Sequence, residues 1–563
     1  MGPIDIALIV VAAIAVLTII GLLVARSAQN KLYFQLLGAF GQPRKRKYTY
    51  EEFETISHYF ANTLKEDEFA LDDITWNDLD LDSIFLMIDN TNSSVGRDYL
   101  YKLLRTPVAS EEELKKRDAL IDYFNAHDFE RTRIQMQYYN IGFSRKISVS
   151  DYMRNLFELK PQSGIFHYLV WVLYICSIVG MFYSVASLFL LILAIAIGVI
   201  SYYKIKSRID SYFECVRQLV AMVKTANNIK KLNIPELKEF NDYFAEVNKT
   251  FAKITRNSYL VVAQKQAAGS LMDIVMEYIK MITHIDLIKF NSMIKHFDRN
   301  YEAVEELMER LGYLESMISI AGFRRTLKYY CKPEFNRTKG LETNDLYHLL
   351  VQDNPVPNSV NEDMPMLITG SNASGKSTFL KSVAIGSILA QSIYTCPAAS
   401  YDAPMYRMYS SMALTDSIES GESYYIVEIK SLKRIVDATR KAGKDGIKVM
   451  CFIDEVLRGT NTVERIAASS EILKNLADEG AMCFAATHDI ELTHILEKYF
   501  ANYHFNEKIE DNNIIFSYEL QSGRATSRNA IKLLSIIGYD KNIIRNSEKR
   551  ANDFMEKGAW DKA

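Results

Sequence analysis

The sequence predicts a C-terminal α/β domain built on a parallel sheet, joined to a mainly α-helical part that carries membrane spans. Three observations lead to this fold class. Apolar residues recur at helical spacing between residues 48 and 314, strand-like and helix-like stretches alternate after a boundary near residues 320–345, and two long stretches contain no Asp, Glu, Lys or Arg. A chain of 563 residues with these patterns should form several folded units.

The first uncharged stretch, residues 6–25, has the length of a membrane helix, because 20 helical residues span about 30 Å. Asp5 precedes it, whereas Arg26, Lys31 and the basic run at residues 44–47 follow it, so the positive-inside rule places the N-terminus outside. The apolar run is too long, and its start too acidic, for a cleaved signal peptide. We therefore predict an uncleaved anchor within residues 1–30.

The second uncharged stretch runs from residue 161 to residue 203 and is about twice as long as one span requires. Dividing it near residues 180–184 gives two short spans, 165–182 and 186–203. We predict a membrane hairpin at residues 161–204 with both ends in the cytoplasm; the alternative is a buried helical hairpin of a soluble core. The predicted protein is thus multi-pass, with three spans and a cytoplasmic C-terminal domain.

Composition limits the function classes. Lys+Arg 66 against Asp+Glu 69 gives a formal net charge of -3, so a nucleic-acid site would have to be local. Six well-separated cysteines without a CxxC pair argue against a zinc ribbon and suit a reducing compartment. We expect helical segments at residues 48–160 and 205–330 and an α/β domain at residues 331–563.

The strongest local motif is the phosphate loop GSNASGKS at residues 370–377, which lies between an apolar strand-like stretch and a helical run. Glycines allow backbone N–H groups to surround phosphates, Lys376 neutralises the β- and γ-phosphates, and the Ser377 hydroxyl is a Mg²⁺ ligand. The motif predicts ATP with Mg²⁺. The predicted nucleotide-binding residues are Gly370, Asn372, Gly375, Lys376, Ser377 and Thr378.

Two further buried-strand patterns end in polar residues. Residues 449–453 lead into Asp454 and Glu455, a Walker B pattern in which Asp454 holds the Mg²⁺ shell and Glu455 polarises the attacking water. Residues 482–487 deliver His488 to the end of another strand, where ligand sites of such sheets lie, and this position predicts that His488 senses the γ-phosphate. The alternatives are two solvated acids and a structural histidine.

Four segments together resemble the ATPase domain of the MutS mismatch-repair family: TGSNASGKST at 369–378, DSIESGESYYIVE at 416–428, DEVLRGTNT at 454–462 and ATHD at 486–489. Residues 74–117 resemble the start of that family's core helical domain. The resemblance implies an α/β P-loop NTPase of the MutS and transporter-ATPase type, in which Ser423 begins a helix that reaches the nucleotide of the partner in a dimer. Glu455, Lys376, His488 and Ser423 are the implied catalytic residues.

The sequence also departs from the family's usual pattern. Ser371 stands where Pro is usual, Ser374 where Gly is usual, and Leu457 where Gly is usual, although none of these positions supplies a phosphate or metal ligand. Only the predicted anchor and about 45 residues precede the core-like segment, so we expect a membrane-anchored variant without the mismatch-recognition and connector domains.

Two function hypotheses follow. The first is a membrane-anchored MutS-like ATPase that hydrolyses ATP as a homodimer through its ATPase domain and couples hydrolysis to DNA binding or mismatch-repair-like DNA metabolism. The second is an ATP-driven membrane switch or scaffold that acts on an unidentified membrane or cytosolic protein and has no nucleic-acid role. Lys230–Lys231 and Arg324–Arg325 are candidate DNA contacts under the first hypothesis and solvated faces under the second.

Overall fold

The computed structural model describes residues 2–43, 46–144, 147–159, 164–258, 261, 271–297, 300–371, 374–412, 424–458, 460–510, 513–525, 531, 534 and 537–557. The chain forms two compact units. The helical unit comprises Met1–Lys65, Met87–Lys102 and Ala119–Thr326, and the sheet unit comprises Glu66–Leu86, Leu103–Asp118 and Leu327–Ala563.

The helices before residue 330 agree with the predicted helical texture. In chain order they are α1 (Pro3–Ala39), α2 (Tyr50–Thr63), α3 (Asp73–Asp78), α4 (Leu81–Ile88), α5 (Ser94–Arg105), α6 (Glu111–Ala126), α7 (Asp128–Ile141), α8 (Val149–Glu158), α9 (Ile165–Gly180), α10 (Ala186–Lys231), α11 (Lys238–Thr250), α12 (Ala252–Thr255), α13 (Leu271–Thr283), α14 (Ile285–Phe297) and α15 (Tyr301–Thr326).

Helix α5 approaches α15 closely at two glycines. A Cβ atom at Gly96 would lie 2.1 Å from Glu315 Oε2, and one at Gly312 would lie 2.5 Å from Tyr99 Cβ. Glu315 is 1% exposed and accepts hydrogen bonds from the Asn92 N–H, at 2.5 Å, and from the Ser93 hydroxyl. The two glycines therefore let the helices approach closely enough to enclose a carboxyl group.

The predicted division of the second uncharged stretch coincides with two helices, α9 and α10, joined by a short turn. Within the described part of the chain, one stretch is long and apolar enough to cross a membrane: Ala186–Asp210, with mean hydropathy 2.3 and 17% of its most apolar window buried. Helix α9 is apolar but has only 16 residues. The membrane hairpin therefore stays a prediction.

The predicted N-terminal anchor lies within α1, a continuous helix of 37 residues. Its apolar side chains at Ile19, Leu22 and Val24 are more than half exposed. Of the basic run that follows, Arg44 and Lys45 lie outside the described residues. Arg46 is not simply solvated, because its guanidinium donates to Asp89 Oδ2 at 2.9 Å. Membrane crossing by α1 also stays a prediction.

The sheet unit contains the α/β arrangement that the sequence predicts. Its remaining elements are β1 (Leu341–Leu346), β2 (Asn358–Glu362), β3 (Met366–Thr369), α16 (Lys376–Ile393), β4 (Ser400–Asp402), β5 (Arg407–Ser411), α17 (Tyr424–Asp445), β6 (Val449–Asp454), α18 (Thr462–Asp478), β7 (Met482–Thr487), α19 (Ile490–Ile495), β8 (Ala501–Glu510), β9 (Asn513–Ser522) and α20 (Lys541–Lys557).

In the described residues, six strands form the main sheet in the order β5-β6-β7-β3-β8-β9, and β2-β1-β4 form a smaller antiparallel sheet. The main sheet is parallel from β5 to β8, and β9 pairs antiparallel with β8. Its central strands β3 and β7 are buried throughout, as expected when helices cover both faces. The carboxyl ends of β3, β6 and β7 therefore meet at one edge, where ligands of such sheets bind.

Two short segments from early in the chain complete the sheet unit. Asp78, at the end of α3, is 3% exposed and accepts hydrogen bonds from the Ser410 hydroxyl at 2.7 Å and the Met412 N–H at 2.9 Å. Arg117, on α6, donates to the Ser392 carbonyl oxygen at 2.5 Å. The α/β unit is thus assembled from three separate stretches of sequence.

Candidate nucleotide-binding site

The phosphate loop connects β3 to α16 and depends on glycine at both ends. Gly370 has φ +150° and Gly375 has φ +108°, conformations that side-chain-bearing residues rarely adopt. A Cβ atom at Gly370 would also lie 2.8 Å from Ser374 Oγ, and one at Gly375 would lie 3.2 Å from the Tyr518 ring. The 18-residue helix α16 begins directly after the loop, so its N-terminus is oriented to attract anions.

Lys376 is the cation of this loop. Its ammonium donates hydrogen bonds to the carbonyl oxygens of Gly370 and Ser371, each at 2.8 Å, and the residue is 6% exposed. Burial lowers the pKa of Lys376, and the nearby carboxylates of Asp454 and Glu455 only partly oppose that shift. The two hydrogen bonds hold the Lys376 ammonium against the backbone of the phosphate loop.

The predicted magnesium ligands are neighbours. Ser377 Oγ, in the first turn of α16, lies 2.5 Å from Asp454 Oδ2, at the end of β6. A hydroxyl and a carboxylate are the hard oxygen ligands that Mg²⁺ prefers, and Mg²⁺ usually takes only one or two of them from the protein. The two side chains therefore fit a Mg²⁺ ion that accompanies a nucleotide.

Glu455 lies between His488 and Arg458. His488 Nε2 is 2.7 Å from Glu455 Oε1, and Arg458 Nε is 2.5 Å from Glu455 Oε2. Burial alone would raise the pKa of Glu455, but the hydrogen bond and charge of His488 and the charges of Arg458 and Lys376 outweigh it and lower that pKa. Glu455 is therefore an ionised carboxylate, as required to orient a water molecule.

The turn after β6 fixes these side chains through an unusual backbone. Glu455 has φ +62° and Leu457 has φ +59°. The Glu455 N–H donates to the Ala486 carbonyl oxygen of β7 at 2.9 Å, which ties the turn to the strand that delivers His488. Glu428, on α17, is 2% exposed and accepts from the Arg458 N–H at 3.2 Å. Such strained turns are frequent at active sites.

These groups surround a single cavity of about 520 Å³. That volume is within the usual range for small-molecule sites. The cavity is lined by Ser374, Gly375, Lys376, Ser377, Thr378, Asp454, Glu455, Arg458, His488 and Tyr518.

The structure adds Arg458 and Tyr518 to the residues that the sequence predicts for this site. Arg458 was visible as part of a motif, but nothing in the sequence alone places its guanidinium on Glu455. Tyr518 lies on β9 with φ +55°, its carbonyl oxygen accepts a hydrogen bond from Asn358 Nδ2 at 3.0 Å, and its ring borders the phosphate loop. In the sequence, Tyr518 is one tyrosine in an ordinary strand pattern, and no motif marks it as a site residue.

Comparison with known proteins agrees with this geometry. Residues 366–555 match the family model for MutS domain V. The chain is 23% identical to the DNA mismatch repair protein MutS of Lactobacillus acidophilus, over 95% of this chain and 68% of that protein. It is 27% identical to the DNA mismatch repair protein MutS of Thermotoga maritima, over 61% of this chain and 44% of that protein.

Residues 366–555 are thus a MutS domain V, and the chain is similar to MutS proteins beyond that domain. A further relative, the DNA mismatch repair protein MutS 2 of Haloarcula marismortui, is 29% identical over 44% of this chain and 28% of its own length. The chain thus spans less than half of two of these three relatives. Its MutS domain V match includes the phosphate loop, the end of β6 and His488.

Two predicted site residues, Asn372 and Ser423, lie outside the described residues. The other predicted residues line the cavity, except Gly370, which contributes its carbonyl oxygen to the Lys376 ammonium. Leu457 stands where glycine is usual in the family, and its positive φ explains why glycine is usual there.

The two arginines of one candidate DNA contact, Arg324 and Arg325, differ in exposure. Arg324 is 3% exposed and forms an ion pair with Asp122 at 3.2 Å, and Arg325 donates to Asn125 Oδ1 at 2.6 Å. Arg324 is thus buried inside the helical unit, whereas Arg325 is exposed. Lys231 is exposed at the end of α10, so that pair stays a candidate.

Proposed function

We propose that this chain is a membrane-anchored MutS-type ATPase that binds ATP with Mg²⁺ and hydrolyses it in a dimer. The observation that supports it best is the convergence of Lys376, Ser377, Asp454, Glu455 and His488 on one cavity from three neighbouring strand ends. Such a set serves phosphoryl transfer, where catalysis consists mainly of positioning and charge stabilisation.

Each side chain has a separate task in this proposal. Lys376 and the α16 N-terminus bind the phosphates, Ser377 and Asp454 hold Mg²⁺, and the ion supplies charge neutralisation when it is bound. Glu455 accepts a hydrogen bond from the attacking water, which it orients toward the γ-phosphate. His488 donates to Glu455 and keeps that carboxylate ionised and aligned. The Tyr518 ring limits the side of the cavity next to Gly375.

Nucleotide binding and turnover of the purified protein test the site. Lys376→Ala should weaken ATP binding, whereas Glu455→Gln should retain binding and lose at least about 100-fold in turnover because the water loses its acceptor. Glu471→Gln, the same chemical change at an exposed position of α18, is the control and should leave both unchanged. Wild-type turnover by the Lys376 and Glu455 variants would refute the site.

The dimer is part of the proposal through Ser423, whose role rests on the family resemblance. If Ser423 serves the partner's nucleotide, Ser423→Ala and Lys376→Ala subunits should both be inactive alone but complement each other when mixed. A random 1:1 mixture should recover roughly a quarter of the wild-type rate, because half of its dimers are mixed and each holds one intact site. No recovery from subunits shown to exchange would exclude a shared site.

The membrane part of the proposal rests on the exposed apolar surface of α9 and α10. Phe189 is 73% exposed, Ile200 is 69% exposed and Ile165 is 67% exposed, and a soluble protein rarely leaves so much contiguous apolar surface in water. We propose that this hairpin and α1 span the membrane, with the N-terminus outside and the ATPase domain in the cytoplasm. Resistance to carbonate extraction, and protection of the hairpin from protease, would test it; extraction as a soluble protein would refute it.

DNA metabolism is the first candidate for the coupled process, because the relatives are named as DNA mismatch repair proteins. The alternative is an ATP-driven membrane switch or scaffold without a nucleic-acid role, and the internal pairing of Arg324 and Arg325 favours it. Binding to homoduplex, mismatched and branched DNA across a salt series separates them. ATP-modulated, structure-selective binding supports the first, and binding that disappears at moderate salt supports the second.

A further inference from the structure

The connection between α13 and α14 is hydrogen-bonded to α9 and α10, the two helices of the hairpin. His284, the residue between α13 and α14, has φ +56° and is fully buried. Its Nε2 lies 3.0 Å from the Gly198 carbonyl oxygen of α10, and its Nδ1 lies 2.9 Å from His167 Nδ1 of α9. Since a carbonyl can only accept, Nε2 carries the proton of the neutral ring and His284 Nδ1 accepts from His167. Trp171 Nε1 donates to the Thr283 carbonyl oxygen at 2.6 Å.

These contacts set the depth of the turn relative to the proposed spans. Trp171 is six residues inside the start of α9, and Gly198 is five residues inside the predicted cytoplasmic end at Tyr203. At 1.5 Å per helical residue, both positions lie roughly 8–9 Å inside the span ends. The turn at His284 therefore lies at the depth, about 5–10 Å below the boundary of headgroups and acyl chains, to which interfacial helices bury their apolar faces.

The C-terminal part of α13 has an exposed apolar face. Val275 is 49% exposed, Tyr278 60%, Ile279 42% and Ile282 38%. Their spacing of three, one and three residues places all four on one helical face. This face continues the exposed apolar surface of the hairpin, since the C-terminal end of α13 is bonded to Trp171 and, through His284, to Gly198.

The charged groups of the same region are paired within the protein. Glu277 Oε2 lies 3.3 Å from Lys206 Nζ of α10, and Glu277 Oε1 lies 3.2 Å from Lys280 Nζ. Asp286 accepts a hydrogen bond from the Tyr202 hydroxyl at 2.9 Å. Pairing lowers the free-energy penalty of placing these charges beside lipid, and the nearby Tyr and Trp side chains are of the types enriched at membrane interfaces.

We propose that α13 is an interfacial membrane helix whose outer face, Val275, Tyr278, Ile279 and Ile282, lies among lipid headgroups and acyl chains beside the hairpin. This inference rests on the proposed membrane crossing of α9–α10. Lipid is the occupant, rather than a protein, because the face is continuous with the surface that the crossing would place in lipid. Helix α13 is 13 residues long and does not itself cross the bilayer. Movements of the helical unit would be transmitted to the bilayer through the contact of α13 with lipid.

Site-specific photocrosslinking to lipid tests the proposal. The full chain is made with p-benzoylphenylalanine in place of Ile282, on α13, Phe189, on the hairpin, or Glu246, an exposed residue of α11. Each protein is reconstituted into vesicles of phosphatidylcholine and phosphatidylglycerol that contain an alkyne-bearing phospholipid. Irradiated samples are analysed for lipid adducts by mass spectrometry, and ATP turnover equal to wild type shows that each variant is folded. Val275 is the replacement position if the Ile282 protein fails that check.

Lipid adducts at positions 189 and 282, with none at 246, are the expected result. Adducts at position 189 alone would overturn the interfacial helix and leave the membrane crossing intact. Adducts at position 282 alone would keep the lipid contact of α13 and overturn the crossing, and adducts at neither position would overturn both. A crosslink from position 282 to a second copy of the chain would replace lipid by a protein interface and overturn the proposal.

Discussion

Leu457 combines a backbone conformation that suits glycine with a side chain that belongs to the core. Its φ is +59°, yet its side chain is 2% exposed and packs in the apolar cluster between the main sheet and α17 to α19. The left-handed conformation costs about 1–2 kcal/mol for a residue with a Cβ atom. Losing a buried leucine side chain costs about 2–5 kcal/mol, so burial outweighs the strain.

Restoring the family's usual glycine should therefore destabilise this protein. We expect Leu457→Gly to lower the free energy of unfolding by about 1–4 kcal/mol, and Leu457→Ala to lower it further because alanine loses the packing and retains the strain. Thermal and denaturant unfolding would measure the stability of the sheet unit, whose transition is the one that ATP stabilises. We expect this stability to fall from wild type to Leu457→Gly and further to Leu457→Ala. A glycine variant more stable than wild type would show that strain dominates.

The protonation of Glu315 should affect the stability of the helical unit. Burial raises the pKa of Glu315 to about 8, although the Ser93 hydroxyl and the Asn92 N–H favour its ionised form. A pKa that is higher in the folded state than in the unfolded chain gives stability that is complete below pH 4–5 and is lost as pH rises through about 8.

The variant Glu315→Gln should remove this pH dependence. Near pH 5 the variant and wild type should have similar stability, and the variant should become relatively more stable by up to roughly 1 kcal/mol per pH unit toward pH 8. Thermal unfolding at pH 5, 6.5 and 8 would measure it, with Glu309→Gln on the exposed side of the same helix as control. A constant difference across these pH values would contradict the assignment of a protonated Glu315.

At the scale of elements, α5 packs closely on α15 because residue 96 is a glycine and has no Cβ atom. Gly96→Ala would place Cβ 2.1 Å from Glu315 Oε2 and 2.8 Å from Glu315 Cβ, so the two helices or the carboxyl group would have to move. We expect a loss of about 2–4 kcal/mol in unfolding free energy, because overpacking is added to disruption of a buried hydrogen-bonded carboxyl.

A matched control exists in α1. A Cβ atom at Gly38 would have no atom within 4 Å, so Gly38→Ala should leave stability unchanged or raise it slightly through helix propensity. Thermal melts of the two alanine variants in the same detergent would measure the contrast. Equal melting temperatures would show that α5 and α15 can separate without a penalty.

Elements governed by local sequence were predictable, and residues placed by distant elements were not. The phosphate loop, the strand before Asp454 and the division between α9 and α10 follow from apolar periodicity, glycine and charge within about 20 residues. The contact of Tyr518 with Gly375 depends on the pairing of β8 with β9 and on Asn358, far away in sequence. Arg324 was misassigned because two adjacent arginines give no signal of burial or of a partner such as Asp122.

At the scale of the whole molecule, the sheet unit depends on segments that precede the hairpin in sequence. Asp78→Ala should leave the Ser410 hydroxyl and the Met412 N–H without their acceptor in a buried position. We expect a loss of about 2–4 kcal/mol in the stability of the sheet unit and a lower melting temperature. Asp122→Ala, in the helical unit, is the comparison, since its partner Arg324 belongs to the other set of segments.

The effect of ATP on the melting temperature distinguishes the two variants. Saturating ATP raises the melting temperature of the unit that binds it, so the transition that shifts with ATP identifies the sheet unit. Asp78→Ala should lower that transition, and Asp122→Ala should not. An ATP-sensitive transition that is unaffected by Asp78→Ala would show that Glu66–Leu86 is not needed by the sheet unit.

The three-part origin of the sheet unit has a consequence for the order of events on the ribosome. Leu103–Asp118 is synthesised about 200 residues before Leu327 begins the rest of the unit, and α9 and α10 are made in between. At a synthesis rate of about 5–20 residues per second, roughly 10–40 s pass between the synthesis of this segment and that of the later segments of the sheet unit. The apolar hairpin therefore leaves the ribosome while the nucleotide-binding unit is still incomplete, so an early targeting step would precede any folded, ATP-dependent form of the protein.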